Sequence, residues 1–191
     1  WLNKNGIAAA VLKYRVPTRQ FEPMWKAPVQ DAQRAIRILR TNSEKWNLDP
    51  QKVGILGFSA GGHTAARASL TKEAQYAAID KTDEAPFLPN ASILIYPAYL
   101  DQKDGSGLTA DLKVDSSSPP TFLVHAFDDP ISVRGSLYMA LALKDAGVPF
   151  DLHVYETGGH GYGLRPVENK PVTLWPNRCE EWLTRLGWKS K

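Results

Sequence analysis

The chain has 191 residues, 43% of them apolar and 23% charged, enough to enclose one packed core and ordinary for a soluble globular domain. Lysine and arginine total 23 against 20 acidic residues, a formal net charge of +3, and no long single-sign run concentrates a field, which argues against a nucleic-acid partner. The lone cysteine, Cys179, excludes an intrachain disulfide and a cysteine metal site and reads as a packing residue, and no apolar run approaches the ~20 residues that cross a bilayer.

Apolar runs of strand length, each bounded by Gly, Pro, Asp or Asn, recur at residues 7–11, 53–57, 92–96, 121–126 and 151–155. Longer segments with helical spacing separate them. Over 29–40, Ala32, Ala35, Ile36 and Leu39 share one face. Ser132 caps a helix containing Val133, Leu137, Leu141 and Leu143, with Gly147 and Pro149 supplying the stop. From near Pro176, Trp182, Leu183 and Leu186 fall on one side of a closing amphipathic helix expected to pack on the sheet. Strand and helix therefore alternate. That order predicts an α/β fold, a mostly parallel sheet with helices on both faces, in a single domain over 1–191, with ligands at the carboxyl ends of the strands. The irregular stretch 101–120, rich in Asp, Gly and Ser, is placed where a lid or rim loop would stand.

The run at 53–57 leads into Gly57-Phe58-Ser59-Ala60-Gly61-Gly62 and then a helical segment, the pattern of a nucleophile elbow. Small residues are needed two positions either side of such a serine so that the chains can pass, and Gly57 and Gly61 meet that need. The turn points the Ala60 amide and the helix dipole at charge developing beside the hydroxyl. A base and an orienting acid must follow. The run at 121–126 ends in Phe127-Asp128-Asp129-Pro130, and the run at 151–155 ends in a glycine-rich loop carrying His160. The order Ser, Asp, His is the one this elbow architecture imposes. The residues themselves leave Asp128 and Asp129 open, and an Asp-Asp-Pro turn also caps helices.

Pro28 to Ala35, the elbow with its second glycine, His125 to Asp129, and Gly158 to Gly163 together resemble the acetyl-esterase and carbohydrate-esterase-like branch of the α/β-hydrolases, over nearly the whole chain. The resemblance implies an α/β-hydrolase fold with a minimal cap and an open site, and a triad of Ser59, Asp129 and His160. It also implies hydrolysis of short-chain, acetyl-type esters, including those of carbohydrates such as xylan. No cofactor and no metal are expected. Tyr162, two residues past His160, is placed to line the pocket. Relatives carry a His-Gly-Gly loop upstream that gives the other oxyanion amides, and this sequence lacks it. It begins at Trp1 with no methionine and no signal-like segment. It is thus read either as a piece of a longer protein or as a reduced sheet in which the runs at 7–11 and 53–57 pair directly. Exposed strand edges would favour a homo-oligomer, and the compartment, cytoplasmic or exported, stays open.

Other readings compete. His63, His125 and His153 are expected to be packing or sheet-face residues. Trp1, Trp25 and Trp175 are candidate sugar platforms against a default of core packing. A dinucleotide loop at 57–62 fits poorly, because the run at 92–96 is followed by Pro97 where an acidic residue should hold the ribose. A serine peptidase of the same fold and a catalytically incomplete hydrolase remain the alternatives.

Overall fold

The computed structural model describes residues 1–16 and 21–189. Four of the five predicted strands form: β1 (Gly54–Phe58), β2 (Ala91–Ile95), β3 (Thr121–Ala126) and β4 (Phe150–Tyr155). They make one parallel sheet in the order β1-β2-β3-β4. Every residue of β2 and β3 is buried while β1 and β4 are partly exposed, as expected when only the central strands have neighbours on both sides and cover on both faces.

Alternate residues of the central strands feed two cores. Ile93, Ile95, Phe122 and Val124 face α4 (Trp175–Arg185), where Trp175, Cys179, Trp182 and Leu183 close over them. Leu94 and Leu123 face the opposite side and meet Ala65 and Ala66 of α2 (Ala60–Leu70) and Met139 and Leu143 of α3 (Arg134–Asp145). Helices thus cover both faces, as the alternation predicts. Cys179 is fully buried, the packing role expected of it. In α3, Ser132 Oγ accepts from the Arg134 amide at 3.2 Å, but Leu137 and Leu141 stand exposed and Met139 and Leu143 carry the packing.

The first long helix, α1 (Lys26–Thr41), starts three residues before the predicted 29. Pro28 sits in its first turn, where a missing N–H costs nothing. Arg34 and Arg37 of α1 reach the buried Asp83 carboxylate at 2.8 and 3.2 Å.

The strand expected at 7–11 does not form. Among the described residues nothing pairs with it, and it does not lie against β1, so the direct pairing of those two runs is also absent. An apolar run becomes a strand only with a backbone partner, and here Val11 is wholly exposed. Four residues past it, Arg15 bonds Asp31 of α1 through Nε at 2.9 Å and Gln30 through a terminal nitrogen at 2.9 Å.

The 101–120 stretch holds only an isolated bridge between Asp101 and Leu108. It is pinned rather than poised: Leu112 is buried in the α2–α3 core, and Asp111 takes both terminal nitrogens of Arg67 at 2.8 and 3.1 Å.

Candidate active site

β1 passes into α2 through a single residue, Ser59, at φ 54° and ψ −120°. A non-glycine residue stays in that region only where its surroundings over-determine it. Here the Ser59 amide donates to Ile95 O at 3.0 Å, and its carbonyl accepts from His63 N and Ala98 N, each at 3.1 Å. The close passage falls on Gly57, where a Cβ would lie 2.0 Å from Gly61 O, and on Gly62, where it would lie 2.9 Å from Pro97 Cα. Gly61 was expected to share this demand and does not: a Cβ there would meet only the Tyr14 hydroxyl at 3.8 Å. Gly57→Ala is accordingly expected to lower the free energy of unfolding by about 3 kcal/mol or more. Gly61→Ala should stay within about 1 kcal/mol of the unsubstituted chain, both read from denaturant midpoints.

His160 lies in the loop after β4 and meets Ser59 Oγ through Nε2 at 2.8 Å. Its Nδ1 is 2.8 Å from Asp129 Oδ2. The Asp129 side chain is fully buried, and its other oxygen accepts from Ile131 N at 2.7 Å. With Nδ1–H donated to a carboxylate, Nε2 is left as an acceptor for the serine proton. Three side chains from the ends of β1, β3 and β4 therefore form one continuous hydrogen-bonded line.

Of the two adjacent carboxylates, the geometry separates the roles. Asp128 turns away from His160 and accepts from the amides of Gly158 and Gly159 at 2.8 and 2.7 Å. The Gly159 amide, then that of Gly158, holds its pKa below the usual carboxylate range, so it stays an anion tying the histidine loop to the end of β3. On the other side of the loop, Tyr96 (φ 39°) braces His160. Its ring meets the imidazole edge-on with centroids 4.8 Å apart, and its hydroxyl accepts from Gly163 N at 3.0 Å. Neither the Asp128 latch nor the Tyr96 brace has a sequence signal, because each depends on which loops the sheet brings together.

The Ala60 amide, first in α2, makes no backbone hydrogen bond among the described residues, as the first turn of a helix leaves it. It lies beside Ser59 at the positive end of the helix.

Tyr162 does not line a pocket as predicted. It is 4% exposed, packs its ring 4.5 Å from that of Tyr96, and its hydroxyl has no partner among the described residues; burial pushes its pKa up. It is a core residue beneath the histidine loop. The candidate tryptophan platforms are likewise occupied: Trp175 is buried, Trp1 packs edge-on against it at 5.6 Å, and the Trp25 face is taken by Arg67 at 4.7 Å.

The remaining histidines are packing residues, as expected. His125 is fully buried between Ser136 Oγ at 2.8 Å and Ile131 O at 3.1 Å, and burial lowers its pKa, so its 3.5 Å approach to Asp129 is that of a neutral ring. His63 accepts from Arg67 Nε at 2.6 Å. Burial first, then the Arg67 charge, lowers its pKa to about 4. His153 lies on β4 against Phe122, ring centroids 5.1 Å apart.

With this geometry, the likeness to known proteins runs the length of the chain. Residues 1–93 match the BD-FAE family model. An alignment of 189 residues with the acetylxylan esterase of Xylanibacter ruminicola is 32% identical and covers 86% of this chain and 36% of that protein. The crystal structure of an acetyl ester-xyloside bifunctional hydrolase from Caldicellulosiruptor lactoaceticus aligns at TM-score 0.84 and 35% identity, covering 100% of this chain and 75% of that one. A carboxylesterase from Lactobacillus plantarum shares the fold at TM-score 0.79 and 23% identity, over 100% of this chain and 78% of its own. The chain spans about a third of the length of the curated relatives it matches.

Proposed function

The chain belongs to the α/β-hydrolase esterases, in the acetyl-esterase and carbohydrate-esterase branch, and from that premise we propose that it hydrolyses short-chain carboxylic esters through a Ser59, His160, Asp129 triad. The observation that carries the reading is the unbroken line of two 2.8 Å contacts from Ser59 Oγ through His160 to Asp129.

Ser59 Oγ attacks the acyl carbon while His160 Nε2 takes its proton. Asp129 holds the imidazole in the tautomer that accepts, and stabilises the imidazolium that results. The negative charge on the former carbonyl oxygen is met by the Ala60 amide and the positive end of α2, a preorganised donor of the kind worth about 10²–10³ in kcat. His160 returns the proton to the departing alcohol, leaving Ser59 acylated. Water then repeats the sequence, with His160 as base, and releases the acid.

A short, acetyl-type acyl group is the one this reading assigns, in keeping with the acetyl esters in the names of two of the similar proteins. Esters of carbohydrates, the substrate class for which the similar acetylxylan esterase is named, are the natural substrates in this reading. The test is hydrolysis of p-nitrophenyl acetate, butyrate and octanoate by the chain and by Ser59→Ala. Turnover that needs Ser59 and falls as the acyl chain lengthens is expected. Turnover equal in both proteins contradicts the reading.

A further inference from the structure

The segment that follows β2 wraps the elbow. Pro97 packs against Gly62, and the Ala98 amide donates to the carbonyl of Ser59 at 3.1 Å. Ala98 and Leu100 are 2% and 0% exposed, yet Tyr99 between them is 52% exposed. Its backbone is in the left-handed region, φ 58°, which an aromatic residue enters only at an energetic cost. Its hydroxyl bonds nothing among the described residues. Core packing therefore does not account for a tyrosine here: its immediate neighbours in sequence are anchored, its side chain is turned outwards, and it stands one residue from the amide that touches the nucleophile.

The ring is nevertheless backed. His63 meets it edge-on, centroids 5.6 Å apart at 79°. His63 is itself fixed by Arg67, whose guanidinium is held by Asp111 and covered by the Trp25 ring. Because Arg67 donates to Nε2, His63 is a neutral ring with its proton on Nδ1, and it presents no charge to a neutral ligand. A rigid, half-exposed aromatic face with a free hydroxyl at its rim suits a flat apolar surface edged with hydroxyls, and it loses little freedom on binding. That description fits the C–H face of a pyranose ring.

Building on the esterase reading, we propose that Tyr99 is the platform for the alcohol side of the substrate, a sugar ring carrying the ester that Ser59 attacks. The tryptophans that invited this role in the sequence are occupied by other contacts, and Tyr99 takes their place next to the residue that bonds the Ser59 backbone.

Two measurements test it. In the first, the ratio of kcat/KM for an acetylated xylo-oligosaccharide to that for p-nitrophenyl acetate is compared between the chain and Tyr99→Ala, Tyr99→Phe and Tyr99→Trp. Tyr99→Ala is expected to lower the ratio about tenfold, and the two aromatic replacements to restore most of it. A ratio unchanged in Tyr99→Ala, or one that Phe and Trp fail to restore, overturns the proposal. In the second, equilibrium binding of the same oligosaccharide is followed in Ser59→Ala with and without Tyr99→Ala, and Kd should rise about tenfold with loss of the ring. This arm needs no turnover, so a failure of the esterase reading shows as absent Ser59-dependent hydrolysis, whereas a failure of the platform shows as an unchanged Kd.

Discussion

His160→Ala is expected to lower kcat on p-nitrophenyl acetate by about 10⁵-fold or more, close to the effect of removing Ser59 itself. A serine hydroxyl is a weak nucleophile until a base takes its proton in the transition state. The only ring nitrogen within reach of Ser59 Oγ among the described residues is His160 Nε2 at 2.8 Å. His63 and His125 cannot substitute, the first bonded to Arg67 and the second to Ser136 and Ile131. Since serine and base act as one unit, the double replacement should be scarcely worse than either alone. Single-turnover measurement of p-nitrophenol release checks this, with KM expected to move far less than kcat.

Asp129→Asn is expected to cost about 10⁴-fold in kcat with the fold intact, because the amide leaves His160 in a tautomer that cannot accept from Ser59. The adjacent Asp128→Asn should cost far less, about tenfold. It weakens the acceptor for the Gly158 and Gly159 amides and so loosens the loop without removing the partner of Nδ1. Comparing kcat for the two variants assigns the carboxylates directly. Near-equal losses would mean that the acid acts through loop order and not through the imidazole.

The contrast between those two aspartates marks how far the sequence carries. Ser59 and His160 were legible because an elbow and a glycine-rich loop are local patterns, and the strands at β1 to β4 because short apolar runs between breakers have few other uses. Asp128 and Asp129 differ by one residue and by nothing else in composition. Which of them meets His160 follows from the turn leaving β3 and from the position of the β4 loop, so only the resemblance to known esterases pointed to Asp129. The run at 7–11 looked like a strand for the same local reasons as the others and failed for a non-local one, since no backbone among the described residues pairs with it. Tyr162 and the tryptophans invited functional roles by proximity or size, yet burial depends on what packs over a side chain. Tyr99 lay in an unremarked segment because neither its positive φ nor its exposure leaves a mark on the sequence.

The most direct test of the central claim is trapping of the nucleophile. The chain is treated with a fluorophosphonate, its intact mass is measured, and the modified peptide is sequenced. One adduct per chain, located on Ser59, absent in Ser59→Ala and greatly slowed in His160→Ala, is the result the account predicts. An unmodified chain, or an adduct on another residue that persists in Ser59→Ala, would contradict it.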